Sequence, residues 1–467
     1  MEAMFTMHFK RSTLFCLIVI GALVVSVAAQ QPSRKDIRRS NQLVEQGNRA
    51  FNQKNYKTAI DRYAEAIVLV PRNPAAHYWK GYAHYYLKEY PVALSELNLA
   101  EAQGHPAVDV SKVRWYLNYE LKNFDAALAD VNRGLQADPN DQMLLRASGD
   151  LNFEKQNYRE ALDSYQKAVL GSPNDGNLYY SIARVQLALG DVKGQEAAAS
   201  AAVTKPNQFI GDAYYLLADA LHKQRKYVPA IDAYNRALAS KPDTIQIYRS
   251  LGDIYRGQSR FEEAIDVTRR ALRIWPQDGN LYTDISWYYS LAGKHQEAVE
   301  TAQSAVKLLP NQYMGYTNLC RAYNDLGQFQ FAVTACNNAL RLNPNDGETH
   351  FYLGRAYREL GRTADATRSF DKAVTGLIKF TQDNPDYSDG FYLLGNAYFN
   401  DSQFDKALAA YKRSLELSPN FTRARYNSAI SHLRLNNKVG AMEQYNALVS
   451  LDSDLASRLK AEIDKMP

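Results

Sequence analysis

The sequence predicts an all-α fold in which antiparallel helix pairs stack into a solenoid. Three observations predict it: prolines recur at a fixed interval, small residues recur among large ones at helical spacing, and an aromatic residue recurs where the helices of a pair would meet. The 467 residues are 46% hydrophobic and 22% charged, so the chain can bury a core and is not intrinsically disordered. The repeats favour one array over the roughly three unrelated domains that length alone suggests.

Proline spacing sets the period of the array. Pro242, Pro276, Pro310 and Pro344 follow one another at steps of 34 residues, and the same step recurs elsewhere in the chain. Proline cannot continue a helix and biases the residue before it towards extended backbone. Each of these prolines therefore separates one predicted helix pair from the next.

One period shows how two helices would pack. In residues 245–278, Tyr248, Gly252 and Tyr255 share a face of the first helix at spacings of three and four, and Ala264 opens the matching face of the second. Gly252 and Ala264 are small, which allows close approach of the two helices. An aromatic residue recurs at the turn between the helices, at Tyr56, Tyr90, Phe124, Tyr158, Tyr227, Phe261, Phe329 and Phe404.

This pattern resembles the tetratricopeptide repeat family, whose units follow W-x2-L-G-x2-Y, A-x3-F and P, with Tyr commonly replacing Trp here. The resemblance covers nearly the whole mature chain and implies a right-handed α-solenoid. It also implies a non-catalytic scaffold for protein interactions. Twelve units are predicted, beginning near Ser40, Pro74, Val108, Gln142, Gly176, Gly211, Ile245, Gly279, Tyr313, Gly347, Ser388 and Thr422.

The predicted organisation follows from these units. Between Pro344 and Pro385 the spacing grows to 41, and seven extra residues are close to two helical turns, so an extended helix is expected near 374–387. The predicted segments are a signal peptide at 1–29, a linker at 30–39, repeats 1–5 at 40–210, repeats 6–10 at 211–387, repeats 11–12 at 388–455, and the C-terminal end of a capping helix at 456–467.

The N-terminal residues predict export to the periplasm or the exterior. Lys10 and Arg11 precede an uncharged run, and residues 27–29 supply the small side chains that a signal peptidase requires, so we expect cleavage after Ala29. An uncleaved membrane anchor is the alternative. The apolar part of this run is about 14 residues long, which is fewer than the roughly 20 residues that span a bilayer as a helix.

The sequence motifs do not predict an enzyme. The sequence contains no HExxH, GxSxG or GxxxxGK[ST] motif, and no Cys/His zinc spacing, so no catalytic, cofactor-binding or metal-binding residue is predicted. An enzyme with an unrecognised site is the alternative. The net charge of +5 is much smaller than the concentrated positive charge that is typical of nucleic-acid-binding proteins, so no nucleic-acid partner is predicted.

The 33 tyrosines are the unusual feature of the composition. More than half of them occupy core or turn positions of the family pattern, and the resemblance implies that others line the concave surface. Exposed aromatic rings favour binding, although these rings could instead pack against neighbouring first helices. The implied concave tyrosines are Tyr78, Tyr82, Tyr85, Tyr86, Tyr116, Tyr119, Tyr180, Tyr215, Tyr392 and Tyr426.

The same positions carry charges of alternating sign. Arginine can form two parallel hydrogen bonds to a carboxylate or stack on an aromatic ring, which suggests recognition of a protein or peptide segment. A glycan is the alternative ligand. The charges could also pair with one another across adjacent repeats. The predicted groove residues are Tyr78, Tyr82, Tyr85, Tyr116, Tyr119, Arg146, Asp150, Arg249, Asp253, Trp287, Arg321, Arg355 and Tyr392.

Cys320 and Cys336 occupy the eighth and twenty-fourth positions of one predicted unit, on helices that pack together. The favoured interpretation is two unpaired, small, buried side chains, because neighbouring units place Gly, Ser, Ala or Tyr there. A disulfide stays open as the alternative, since the predicted compartment is oxidising.

Overall fold

The computed structural model describes residues 31–465, in which all the regular elements are α-helices. The 25 helices of this part of the chain confirm the predicted all-α solenoid. The predicted signal peptide at 1–29 lies outside the described residues. Among the helices that are described, none combines the length and the apolar character needed to cross a bilayer.

The first compact unit ends at Asn157. Its helices are joined by short turns, and consecutive helices within the unit pack against each other. The helices are α1 (Arg34–Asn52), α2 (Tyr56–Leu69), α3 (Pro74–Tyr86), α4 (Tyr90–Ala102), α5 (Ala107–Glu120), α6 (Phe124–Ala137) and α7 (Gln142–Glu154).

The second compact unit begins at Tyr158. Its helices again pack against their sequence neighbours, and several first helices also contact the first helix of the next pair. The helices are α8 (Tyr158–Gly171), α9 (Gly176–Leu189), α10 (Val192–Val203), α11 (Ile210–Lys223), α12 (Tyr227–Ser240), α13 (Ile245–Gly257), α14 (Phe261–Ile274), α15 (Gly279–Leu291), α16 (His295–Leu308), α17 (Tyr313–Asp325), α18 (Phe329–Leu342), α19 (Gly347–Glu359), α20 (Thr363–Asp383), α21 (Ser388–Asn400), α22 (Phe404–Leu417), α23 (Thr422–Arg434), α24 (Lys438–Val449) and α25 (Ser453–Asp464).

Two features of this organisation differ from the prediction. The linker predicted at 30–39 is wrong from residue 34 onwards, because Ser33 and Asp36 form a capping box that starts α1 at Arg34. The division at 157/158 also lies inside the fourth predicted repeat. Helix α10 packs on α11, and α20 packs on α21, so packing continues across the predicted boundaries at 210/211 and 387/388.

Helix α20 spans the predicted insertion and is 21 residues long. Ala373 and Leu377 are buried, whereas Phe380 is 40% exposed. The helix ends at Asp383, before residue 387, because Asn384 precedes Pro385 and takes a non-helical conformation.

A large side chain on the second helix packs against a glycine on the first in several pairs. A Cβ atom at Gly47 would lie 2.4 Å from the Tyr63 ring, and one at Gly395 would lie 2.4 Å from the Tyr411 ring. Both rings are buried, as predicted for tyrosines at these positions. The Tyr63 hydroxyl donates a hydrogen bond of 2.7 Å to Asn48 Oδ1, so the buried oxygen is paired.

Cys320 on α17 and Cys336 on α18 form a disulfide. Their Cα atoms are 5.2 Å apart, within the usual range for a disulfide, and both side chains are fully buried. The favoured interpretation of two unpaired cysteines is therefore wrong. The helices approach so closely at these two positions that the thiols meet.

The turn between the two helices of each pair contains one residue with a left-handed backbone. Most of these residues follow the previous one by 34 positions, and the second helix begins two residues later. Residues other than glycine are strained in this conformation because they carry a Cβ atom. The residues are Lys54, Lys88, Lys122, Gln156, Gly190, Arg225, Ser259, Gly293, Gly327, Gly361, Ser402 and Asn436.

We predict that Gly327→Ala lowers the free energy of unfolding by about 1 kcal/mol, because its φ is +76° and a Cβ there is strained. The space around Gly327 is open, so no steric clash contributes. The matched control is Gly257→Ala at the end of α13, where the space is also open and φ lies outside the left-handed region. Urea unfolding of both variants measures the difference, and equal stabilities would contradict the assignment of this turn.

We predict that denatured protein shows two more reactive thiols after reduction than before it, because Cys320 and Cys336 are bonded. Replacing both with alanine should lower the free energy of unfolding by about 3 kcal/mol, since the crosslink closes a loop of roughly 15 residues. Alanine is the matched choice because Ala183 and Ala199 occupy the corresponding positions of another pair and are buried there. An unchanged thiol count on reduction would show that the disulfide does not form.

Candidate functional site

The tyrosines of the first unit that the resemblance implies for the concave surface form a connected network of rings. We call Tyr78, Tyr82, Tyr85, Tyr86, Tyr116 and Tyr119 the tyrosine surface. The Tyr82 ring lies 5.3 Å from the rings of both Phe51 and Tyr86, and Tyr85 joins α3 to α5 with its ring 5.7 Å from that of Tyr116. Tyr116 and Tyr119 are 6.3 Å apart. The network thus runs without a break from α1 to α5.

The rings of the tyrosine surface differ in exposure. Tyr86 is 44% exposed and Tyr116 is 36% exposed, whereas the other four are half-buried. Burial raises the pKa of Tyr78 and of Tyr85 to about 12, so both hydroxyls stay protonated at neutral pH. The half-buried rings take part in packing, and Tyr86 and Tyr116 offer area for contact with another molecule.

Arg146 and Asp150 lie on α7 in the same unit. Arg146 is half-buried and Asp150 is exposed. Burial, followed by the charges of Glu154 and Asp150, raises the pKa of Tyr119. Helix α7 therefore places acidic side chains close to one end of the tyrosine surface.

The predicted groove arginines of the second unit pair with acidic residues of neighbouring first helices. Arg249 on α13 lies 2.9 Å from Asp284 on α15. Arg321 on α17 pairs with Glu348 on α19, and Arg355 on α19 lies 3.3 Å from Asp325 on α17. These ion pairs link adjacent repeats, which is the alternative interpretation that the sequence leaves open for these charges. Asp253 is exposed, 3.8 Å from Arg256.

Two further contacts join helices that are far apart in the sequence. Arg256 on α13 forms an ion pair of 2.5 Å with Asp389 on α21, and its guanidinium lies 4.4 Å from the centre of the Trp287 ring. Arg423 on α23 donates a hydrogen bond of 2.5 Å to the carbonyl of Leu291 on α15. The predicted groove did not include Asp389 or Arg423, because no repeat spacing relates residues more than 130 positions apart.

The first helices α15, α17, α19, α21 and α23 line a cavity of about 550 Å³, which we call the inner cavity. Trp287, Arg321, Arg355 and Tyr392 from the predicted groove line it. Asn396, Asn400, Asn427 and Tyr426 line it as well, as does Glu462 from α25. Thus seven of the predicted groove residues lie in the first unit and six in the second, and four of these six meet at one cavity.

The wall of the inner cavity carries equal numbers of arginines and carboxylates. Its four arginines are Arg321, Arg355, Arg358 and Arg423, and its four carboxylates are Asp325, Glu348, Asp389 and Glu462. Burial raises the pKa of Glu348 although Arg321 lies beside it. In the part of the chain that the structure describes, no cluster of three or more His, Cys, Asp or Glu side chains could hold a metal ion.

Comparison with known families identifies repeats in both units. Sequence models described as tetratricopeptide repeat match residues 146–209, 180–244, 243–311, 335–368 and 388–421, and one described as TPR repeat matches residues 47–87. A segment of 82 residues is 33% identical to the UDP-N-acetylglucosamine–peptide N-acetylglucosaminyltransferase of Giardia intestinalis. That segment is 18% of this chain and only 6% of the length of the relative.

Several solved structures are similar at low identity. A tetratricopeptide repeat protein from Parabacteroides merdae is 14% identical, with a TM-score of 0.45, over 55% of this chain and 98% of that one. The APC/C hetero-tetramer Cut9-Hcn1 matches at 15% identity and a TM-score of 0.38, over 91% of this chain and 96% of that one. The structure of Naa15/Naa10 bound to HypK-THB matches at 12% identity and a TM-score of 0.31, over 91% of this chain and 96% of that one. The matches to the family models show that the chain belongs to the tetratricopeptide repeat family.

Proposed function

We propose that this protein is a non-catalytic scaffold that works outside the cytoplasm and binds a segment of a partner protein on the tyrosine surface. Tetratricopeptide repeats generally serve protein interactions, because each pair contacts only its neighbours and leaves one long face open. The observation that carries the proposal is the exposure of Tyr86 and Tyr116 within a continuous network of rings.

The packing of these rings favours binding. Tyr86 stacks on Tyr56 with ring centres 4.9 Å apart, and the Tyr116 ring meets Tyr85 edge to face. Rings that their neighbours already hold in place lose little conformational entropy when a partner binds. A tyrosine also adds a hydroxyl to its large apolar area, which is why binding hot spots are rich in this residue.

The disulfide supports the proposed location. Disulfides persist in exported proteins and are rare in the reducing cytosol. The Cys320–Cys336 disulfide is fully buried and crosslinks one helix pair. Together with the signal-like segment at 1–29, it supports a periplasmic or secreted protein.

We predict that replacing both Tyr86 and Tyr116 with alanine weakens binding of a peptide selected from a display library by at least about tenfold, because exposed hot-spot rings contribute this much. The melting temperature should fall less than it does in Tyr82→Ala, since Tyr86 and Tyr116 are the two most exposed rings of the tyrosine surface. The affinity is measured by titration calorimetry on the full mature chain.

Two controls interpret this test. Val68→Ala with Leu99→Ala removes exposed apolar area elsewhere in the same unit and should leave peptide affinity unchanged. Tyr82→Ala should lower stability, because its ring is half-buried among five others. Unchanged peptide affinity in the Tyr86 and Tyr116 variant would overturn the proposed surface.

We predict that the mature protein begins at Gln30, because the small residues at 27–29 precede it. Expression of the full sequence in a bacterium, fractionation of the cells and mass spectrometry of the N-terminal peptide provide the measurement. Ala29→Lys is the matched variant and should block cleavage. A wild-type protein that keeps residues 1–29 in the cytosolic fraction would contradict export.

A further inference from the structure

The inner cavity contains buried polar atoms that lack partners. Arg321 and Ser290 both line the cavity, and Nη1 of Arg321 and Oγ of Ser290 are buried and form no hydrogen bond within the described residues. The Arg321 side chain is only 7% exposed, and Ser290 is 6% exposed. Because buried polar groups are nearly always paired, these two atoms point to a ligand that supplies hydrogen bonds inside the cavity.

The charge of the wall limits the kind of ligand. Arg321 pairs with Glu348, Arg355 pairs with Asp325, and Asp389 pairs with Arg256. An anionic ligand would meet four carboxylates and a cationic ligand would meet four arginines. A neutral ligand leaves the existing ion pairs intact, so it costs the least desolvation.

The hydrogen-bonding groups of the wall favour hydroxyl groups on the ligand. Arginine only donates and ionised carboxylates only accept, whereas a hydroxyl does both and can bridge the two kinds of side chain. The hydroxyl of Ser290 and the amide of Asn400 extend this mixture along the wall. A ligand with several neighbouring hydroxyls can pair with the free Arg321 nitrogen and with an acceptor at the same time.

Aromatic rings supply the apolar part of the site. Trp287, Tyr392, Phe421 and Tyr426 line the same cavity, and the rings of Tyr392 and Phe421 are 4.8 Å apart. Such rings bury large apolar area while a polar rim fixes orientation. A pyranose ring presents apolar C–H faces and a polar edge of hydroxyls, and so it matches both parts of the wall.

Contacts between distant helices at the cavity favour a compact ligand. The Arg256–Asp389 ion pair and the hydrogen bond from Arg423 to Leu291 connect α13 with α21 and α15 with α23. An extended polypeptide would need a groove free of such links. The volume of about 550 Å³ lies within the range of roughly 300–1,000 Å³ that is typical of small-ligand sites.

We infer that the inner cavity binds a short neutral oligosaccharide. This site is separate from the tyrosine surface, and the inference goes beyond the proposed function without resting on it. Arg321 Nη1 donates to a sugar oxygen, Ser290 pairs with a hydroxyl, and the aromatic residues pack against the ring faces.

Calorimetric titration of the full mature chain with neutral di- and trisaccharides of glucose, mannose, galactose and N-acetylglucosamine tests this inference. We expect at least one of them to bind with one site per chain. Ser290→Ala preserves shape and removes an unpaired hydroxyl, and it should weaken that binding about tenfold. Arg355→Gln, at a half-buried position, removes a donor and should weaken it similarly. Tyr86→Ala with Tyr116→Ala is the matched control and should leave sugar affinity unchanged.

Three results would overturn the inference. No saccharide of the panel binds at millimolar concentration, or a saccharide binds equally well to the Ser290→Ala and Arg355→Gln variants, or acidic or basic tripeptides bind the wild type and lose affinity in those variants. Circular dichroism of each variant establishes that it is folded. The peptide titration of the Tyr86 and Tyr116 variant is read independently, so failure at the inner cavity and failure at the tyrosine surface are distinguishable.

Discussion

The closest approach of the two helices in a pair is set by a contact between residues sixteen positions apart. Gly47 meets Tyr63 in this way, and Gly395 meets Tyr411. The disulfide between Cys320 and Cys336 has the same separation and joins the same two positions of its pair. In the two tyrosine pairs the ring faces a residue without a side chain, and where both residues are cysteines a covalent bond forms between them. The contact therefore holds the pair together with chemically different residues.

This contact decides which side chains are left for binding. The tyrosines at this position of the second helices are buried, namely Tyr63, Tyr165, Tyr234 and Tyr411. The first helices then supply the rings of the tyrosine surface, on α3 and α5, and most of the wall of the inner cavity, on α15 to α23. Both candidate sites thus follow from the same packing rule.

The fold was predictable because the contacts that create it are local in sequence. Separations of 16 and 34 residues are visible as repeated Gly, Ala, Tyr and Pro, and the ion pair between Arg355 and Asp325, 30 residues apart, could be weighed as a link between adjacent repeats. The inner cavity was not predictable, because Arg256 and Asp389 are 133 positions apart and no repeat relates them. The disulfide lay between these cases, since the sequence placed both cysteines on packed helices but could not give the distance between them.

The tyrosine surface and the inner cavity differ in how they can select a ligand. On the tyrosine surface the rings already contact one another, so a ligand gains mainly by covering the apolar area of Tyr86 and Tyr116, and many sequences can do this. The inner cavity contains unpaired polar atoms among satisfied ion pairs. A ligand that fails to match Arg321 Nη1 and Ser290 Oγ leaves them unpaired, and this penalty rejects poor fits more strongly than apolar contact does. The inner cavity is therefore expected to discriminate between similar ligands, and the tyrosine surface to tolerate variation.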